Sequence, residues 1–191
     1  MTLSTASKRA SLRREQGETV RVIAWGLLLM SFGCGRSSPS WTSVKDMVRR
    51  DFPDVERISA EELNRRLSSN TQPRPVLLDV REEAEYAVSH LPGATRVAPG
   101  SDTSELIESL DRDTPIVAYC SVGYRSSELV DKLRQRGFTN VKNLDGSIFE
   151  WANSGYSIER DGVEVREVHP FDEQWGRLLN EDLRAYEPGS E

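Results

Sequence analysis

A cysteine, a glycine and an arginine lie close together in the segment CSVGYRS, which begins at Cys120 and continues the apolar run PIVAYC. A thiol is a useful nucleophile only as its thiolate, so a reactive cysteine needs surroundings that stabilise negative charge on sulfur. Gly123 lets the backbone curl, so that successive N–H groups can point inward, and a helix that follows adds its positive end. Arg125 adds a full positive charge. The segment therefore predicts a small anion cradle around Cys120.

The length of this loop bears on which chemistry it serves. Phosphoryl or arsenate transfer uses a Cys-x5-Arg loop around a tetrahedral oxyanion, whereas sulfur transfer holds one added sulfur atom as a persulfide. Only four residues separate Cys120 from Arg125, so the smaller cradle favours sulfur. A buried structural cysteine is the third interpretation, because free cysteines are often core residues. The glycine, the arginine and Ser126 in register argue against it.

Strand-like and helix-like segments alternate through the middle of the chain. Apolar runs that indicate strands cover 76–80, 95–98, 115–120 and 140–144. Helical patterns cover 59–67, 81–90, 103–110, 126–137 and 147–155, with Ser59, Thr103 and Ser126 as N-caps. This alternation predicts an α/β fold, with an open, mostly parallel sheet and helices on both faces. Sites in such sheets lie beyond the carboxyl ends of the strands, where Cys120, Asp79 and Arg81 fall.

The first forty residues have the composition of an export segment. Five basic residues precede the charge-free apolar run from Val22 to Gly33, which has the length of a signal sequence and is too short for a comfortable transmembrane helix. Gly33-Cys34 resembles the cleavage point of a bacterial lipoprotein signal, in which the cysteine is lipidated. A core helix is the alternative. We expect residues 1–40 to direct the protein to the cell envelope or periplasm and to anchor it in the membrane through Cys34.

Two further segments flank the alternating region. Residues 41–56 are predicted as a helical lead-in interrupted at Pro53. Residues 159–191 are predicted to form a hairpin that turns at Asp161-Gly162 and then an amphipathic helix. The apolar residues at helical spacing in that helix are Phe171, Trp175, Leu178, Leu179 and Leu183. We expect this helix to dock on its own domain, and a protein partner is the alternative occupant of its apolar face.

Composition excludes several classes of function. The chain has 191 residues and a net charge of −6, which does not favour binding to nucleic acid or an anionic membrane surface. Two cysteines are too few for a disulfide framework. His90 and His169 lie far apart in the sequence and belong to no zinc-binding pattern. We therefore expect no metal and no nucleic-acid partner.

Residues 57–158 resemble the rhodanese family in two segments. LLDVREEAEYAVSHLPGA (77–94) resembles the family's first signature, and IVAYCSVGYRSSELVDKLRQRGFTNVKNLDGSIFEWANSGYSI (116–158) resembles its active-site strand, loop, helix and closing segment. The resemblance implies a single rhodanese-like domain without an organic cofactor. It also implies that Cys120 is the catalytic residue and carries a persulfide.

The resemblance assigns roles to further residues. The residues expected to bind the substrate are Ser121, Val122, Gly123, Tyr124, Arg125, Asp79 and Arg81. Asp79 and Arg81 match the Asp and Arg that help to organise the family's site. The implied activity is that of a thiosulfate sulfurtransferase, which moves sulfane sulfur from a small anionic donor to cyanide or a thiol. A persulfide carrier or thiol sensor that binds a partner without turnover is the alternative.

Overall fold

The computed structural model describes residues 38–69, 73–99 and 109–189. The predicted export segment, with Cys34, and most of the helix predicted at 103–110 lie outside these residues. The helices are α1 (Trp41–Asp51), α2 (Ala60–Ser68), α3 (Glu83–Val88), α4 (Tyr124–Gln135) and α5 (Ser147–Asn153). The strands are β1 (Arg57–Ile58), β2 (Val76–Asp79), β3 (Thr95–Arg96), β4 (Ile116–Tyr119), β5 (Val141–Leu144), β6 (Ile158–Arg160) and β7 (Val163–Val165).

Five of the strands form one parallel sheet in the order β1-β5-β4-β2-β3. The register pairs Asp79 with Tyr119 on one side and with Arg96 on the other, so β2, β3 and β4 end at the same level. The prediction of an open parallel α/β sheet is confirmed. Because Cys120 directly follows β4, it lies at the carboxyl edge of this sheet, next to the central strands.

The sheet has a hydrophobic core on each face. Along β4, Val117 and Tyr119 contribute to one core, whereas Ile116, Ala118 and Cys120 contribute to the other. This alternation follows from the two-residue repeat of a strand, and burial of both sets explains why β4 reads as a continuous apolar run. Cys120 therefore faces the same core as helix α4, which contributes Val130 and Leu133.

Serine caps set the starts of the first two helices. Ser40 and Ser43 form a reciprocal capping box at the start of α1, and the Ser59 hydroxyl accepts the N–H of Glu62 at 3.2 Å. These caps satisfy N–H groups that have no partner inside the helix. In the described part of the chain, no helix has the length and apolar character needed to cross a membrane.

The structure corrects two assignments made around the sheet. Strand β1 was not predicted, because its two residues, Arg57 and Ile58, are too few for a visible alternation. Helix α4 begins at Tyr124, and its N-cap is Gly123 rather than Ser126. The Ser126 hydroxyl instead donates to Asn143 Oδ1 on β5 at 2.6 Å. Arg125 therefore belongs to the first turn of α4 and not to the loop.

The C-terminal segment differs from the predicted amphipathic helix. The hairpin forms as β6 and β7, but residues 175–183 contain two short 3-10 helices, Trp175–Leu178 and Glu181–Leu183. An extended residue, Leu179, separates them, and the chain turns back so that Val168 bridges to Arg184. Leu178, Leu179 and Leu183 are buried in the core all the same. The apolar spacing therefore predicted burial correctly for these three leucines but not for Phe171, which is exposed. The chain folds back on itself in this segment instead of forming one helix.

Candidate active site

Gly123 shapes the loop that follows β4. Its φ of +107° is a left-handed conformation that residues with a side chain rarely adopt, and a Cβ there would lie 3.2 Å from Asn143 Nδ2. In this conformation the Gly123 N–H donates to Cys120 Sγ at 3.1 Å. The Gly123 carbonyl accepts from Ser127 Oγ at 2.7 Å and from Asn143 Nδ2 at 3.1 Å. Glycine is thus required here both for the turn and for the hydrogen bond to sulfur.

The first residues of helix α5 form hydrogen bonds with the backbone of Cys120 and Ser121. The Cys120 N–H donates to Ser147 Oγ at 3.1 Å, and the Cys120 carbonyl accepts from the Ile148 N–H at 3.1 Å. The Ser121 carbonyl accepts from the Phe149 N–H at 3.2 Å. These backbone groups are buried, so the hydrogen bonds prevent an unpaired polar group and hold the loop in one conformation.

The surroundings of Cys120 favour the thiolate. Its side chain is 1% exposed, and burial by itself raises a thiol pKa. The charge of Arg125 and hydrogen bonds from Ser126 and Gly123 act in the opposite direction and outweigh burial, so the pKa of Cys120 lies below its ordinary value. A buried structural cysteine would have a raised pKa instead. The electrostatics therefore match the sequence-based prediction of an anion cradle.

Arg125 has a carboxylate partner that the sequence analysis did not assign to the site. Its Nη1 and Nη2 donate to the two oxygens of Glu85 at 2.9 and 2.8 Å, and Nη2 also donates to Ser121 Oγ at 2.9 Å. The Ser121 hydroxyl in turn donates to Glu85 at 2.7 Å. Burial raises the pKa of the Glu85 carboxyl, but Arg125 outweighs it and leaves that pKa below its ordinary value. We name this set the Glu85–Arg125 pair.

Val122 and Tyr124, which were also predicted to bind the substrate, contact neighbouring elements through their side chains. The Val122 side chain is buried in the core that also contains Leu178 and Leu179 of the C-terminal segment. The ring of Tyr124 packs edge-on against Phe52 at the end of α1, with centroids 5.1 Å apart. The side chains of Val122 and Tyr124 therefore anchor this part of the chain to its neighbours.

Asp79 and Arg81, which the resemblance assigns to substrate binding, form a completely buried ion pair. Arg81 Nη2 lies 2.6 Å from Asp79 Oδ2, Arg81 Nε lies 2.9 Å from Oδ1, and both side chains are 0% exposed. Arg81 Nη2 also donates to the Ser89 carbonyl at 2.5 Å. The pair ties the end of β2 to the end of α3, and α3 carries Glu85. This arrangement is that of positioning residues, and their contact with substrate stays a prediction.

We expect Asp79→Asn to lower the free energy of unfolding by about 4 kcal/mol, because it leaves the buried Arg81 guanidinium without its anion. Urea unfolding would measure this loss. Asp182→Asn is the matched control, since Asp182 forms an exposed ion pair with Arg166, and its effect should lie within experimental error. A rise in KM for the sulfur donor with unchanged stability would contradict a positioning role and restore direct binding.

Two residues at this site could not be assigned from the sequence. Glu85 lies in the acidic stretch REEAEY. The only indication in the sequence is that this stretch contains several acidic residues that could pair with Arg125. Phe171 belongs to the apolar spacing of the C-terminal segment, yet its ring lies over the Arg125 guanidinium, 5.0 Å from the centroid to Cζ. Within residues 38–69, 73–99 and 109–189, no three His, Cys, Asp or Glu side chains gather as metal ligands.

The fold and the site together define a parallel α/β protein with a thiol-based site at the carboxyl edge of its sheet. The profile of the rhodanese-like domain family matches residues 59–154. The chain therefore belongs to the rhodanese-like domain family.

Individual relatives and structures add detail to this assignment. A tRNA uridine(34) hydroxylase from Cronobacter sakazakii is 30% identical over 145 residues, which cover 71% of this chain and 40% of that protein. The crystal structure of the Alr3790 protein from Anabaena sp. is 28% identical, with a TM-score of 0.50 over 54% of this chain and 81% of that one. A thiosulfate sulfurtransferase from Pseudomonas aeruginosa is 21% identical, with a TM-score of 0.52 over 72% of this chain and 26% of that one. The last likeness concerns the fold alone.

Proposed function

We propose that the protein is a sulfurtransferase that carries sulfane sulfur as a persulfide on Cys120. The observation that carries the proposal is the buried Cys120 thiol, whose Sγ accepts the Gly123 N–H at 3.1 Å and whose pKa is lowered by the charge of Arg125. Such a thiolate is a ready nucleophile, and the same groups would stabilise the negative terminal sulfur of a persulfide.

The reaction divides into two half-reactions. In the first, the Cys120 thiolate attacks the sulfane sulfur of the donor, a new S–S bond forms, and the donor's S–S bond breaks with its electron pair on the leaving group. Thiosulfate would leave as sulfite. In the second, the electron pair of an acceptor such as cyanide attacks the terminal sulfur, which forms thiocyanate and returns the thiolate. No proton, electron or cofactor is needed beyond donor and acceptor.

Intact-mass spectrometry of the full chain tests this proposal. After treatment with a sulfane-sulfur donor, we expect a mass gain of one sulfur atom located on the Cys120 peptide. Subsequent cyanide should remove that mass and release a matching amount of thiocyanate. A folded protein with a free Cys120 thiol that gains no sulfur from any donor would refute the proposal.

A second candidate is a persulfide carrier or thiol sensor that exchanges sulfur only with a protein partner. The observation that favours it is the 1% exposure of Cys120, because a small acceptor has little direct access to such a sulfur. The two candidates differ in the second half-reaction. A carrier would gain sulfur at Cys120 but would release thiocyanate far more slowly than it was loaded.

The activity in the name of the tRNA uridine(34) hydroxylases is not favoured for this chain. Binding to tRNA depends largely on positive charge against phosphates, and this chain has a net charge of −6. It also spans only 40% of the length of the Cronobacter sakazakii protein.

A further inference from the structure

Phe171 brings the C-terminal segment to the site. It lies outside residues 59–154, which match the family profile. Its ring lies on the guanidinium of Arg125, with 5.0 Å between centroid and Cζ, and the charge of Arg125 also acts on the Cys120 sulfur. A cation and an aromatic face at this distance attract each other. Phe171 therefore belongs to the rim of the cysteine site, although it is fifty-one positions further along the chain.

The C-terminal segment holds Phe171 in a defined place. The Val168 N–H donates to the Leu183 carbonyl at 2.6 Å, and the Ala185 N–H donates to the Val168 carbonyl at 3.1 Å. The Phe171 N–H donates to His169 Nδ1 at 3.0 Å, and the His169 ring packs on Tyr186 at 5.4 Å. These contacts connect the position of Phe171 to the buried part of the segment.

Burial in the core does not explain this position. Phe171 is 43% exposed, and its φ of +66° is left-handed, which is rare for a bulky residue. A sequence under no other demand would place a glycine or asparagine at such a turn. Strained backbone conformations cluster at active sites and ligand contacts.

The charges at the site limit the donor that it accepts. Arg125 is paired with both oxygens of Glu85, and Arg81 is paired with Asp79. Each guanidinium is therefore already balanced by one carboxylate, although the charge of Arg125 still acts on the Cys120 sulfur. Burial lowers the pKa of His169, which leaves its imidazole neutral near pH 7. With Cys120 as thiolate, these six groups carry a net charge of about −1, and a donor with two negative charges is repelled more than one with a single charge.

We propose that the sulfur donor of this protein is an organic sulfane-sulfur compound with one negative charge, and that Phe171 is the specificity-determining residue that contacts its organic group. This inference rests on the proposed sulfurtransferase function. The exposed part of the ring offers an apolar face to an aryl or alkyl substituent, and the matched Glu85–Arg125 pair beside it does not attract a dianion. Thiosulfate, which has two charges and no organic group, would then be a poor donor.

Arylthiosulfonates are suitable probes, because their reaction is the first half-reaction proposed above. The Cys120 thiolate attacks the terminal sulfur of benzenethiosulfonate, the new S–S bond forms, and the electron pair of the broken bond leaves on benzenesulfinate. Methanethiosulfonate has the same charge without the ring, and thiosulfate adds a second charge. Comparison of the three donors therefore separates the effect of the aromatic group from that of charge.

The experiment measures kcat/KM for the loading of Cys120 by each donor in the full chain. Each value is divided by the rate constant of the same donor with 2-mercaptoethanol at the same pH, so that differences in intrinsic reactivity between the donors cancel. We expect benzenethiosulfonate to exceed methanethiosulfonate by about five-fold, and methanethiosulfonate to exceed thiosulfate by at least about ten-fold. In Phe171→Ala the first ratio should fall to about one, whereas Phe171→Trp should keep it.

Val163→Ala is the matched control, because Val163 is an exposed apolar residue of the hairpin that lies outside this rim, and both ratios should persist in it. The inference is overturned if Phe171→Ala retains the preference for the aromatic donor, or if thiosulfate equals methanethiosulfonate. Failure of the proposed function looks different, because in that case no donor would load sulfur on the wild-type protein.

Discussion

Cys120→Ser is expected to abolish sulfur loading, with a loss of at least about a thousand-fold in rate. A serine hydroxyl stays protonated where the Cys120 thiol ionises, and its oxygen cannot carry sulfane sulfur through the cycle. The Gly123 N–H retains an acceptor in the serine hydroxyl, so the loop should keep its conformation. The measurement is the mass of the full chain after treatment with donor, together with the rate of thiocyanate release.

Cys34→Ser is the matched control for this prediction, since Cys34 is the other cysteine of the chain. It should load one sulfur atom at the wild-type rate. Thermal unfolding of both variants would show that each remains folded. Sulfur loading that persisted in Cys120→Ser and was lost in Cys34→Ser would contradict the proposal, because it would place the persulfide on Cys34.

Arg125→Met is expected to have the second largest effect, because it removes the cation that acts on the Cys120 sulfur. The pKa of the Cys120 thiol should rise, because the charge of Arg125 is the largest of the interactions that lower it in opposition to burial. A higher thiol pKa leaves less thiolate near neutral pH, so alkylation by iodoacetamide should slow there, by about ten-fold for each unit of the rise. A pH titration of that rate should show its midpoint displaced to higher pH.

The same substitution should also destabilise the fold. Glu85 would remain with a side chain 3% exposed and without its cation, at a cost of about 3 kcal/mol. The folded-state pKa of Glu85 is lowered by Arg125, so this stabilisation is present above the ordinary carboxyl pKa and is lost as pH falls through the folded value. The difference in unfolding free energy between wild type and variant should therefore shrink in acid.

A double variant separates the two consequences of losing Arg125. Arg125→Met with Glu85→Gln removes both charges, so most of the stability should return while the midpoint of the alkylation titration stays above that of wild type. Arg134→Met, an exposed arginine later in α4, is the matched control and should leave both quantities unchanged. A single variant with wild-type titration would show that Arg125 does not activate the thiol.

The fold could be predicted to the extent that it depends on neighbouring residues. The runs VLLDV and PIVAYC predict buried strands because both faces of a strand in this sheet are covered, and the structure contains β2 and β4 there. The two-residue strand β1 could not be predicted, because its position is decided by pairing with Asn143 and Leu144 of β5. The path of the C-terminal segment, which was predicted as one helix, also depends on a contact between distant residues. Only the bridge from Val168 to Arg184 shows that the chain turns back.

The site was predictable where its parts are contiguous and not where they come from separate elements. Cys120, Gly123 and the start of α4 form one local unit, in which the turn aims an N–H at the sulfur. The partner of Arg125 could not be predicted, because nothing nearby in the sequence identifies it. Glu85 lies forty positions away, and only packing of α3 against the loop brings the two together.

The sequence by itself therefore determined an α/β protein of the rhodanese family with a thiol loop at the end of a central strand. Periodicity, one glycine and a helix start are local properties, which a single segment carries. Only the tertiary structure decided that Arg125 is paired with Glu85, that Asp79 and Arg81 bind each other in the interior, and that Phe171 covers the guanidinium. These contacts join distant segments of the chain. The charged groups are paired because a buried charge without a partner costs a large amount of free energy.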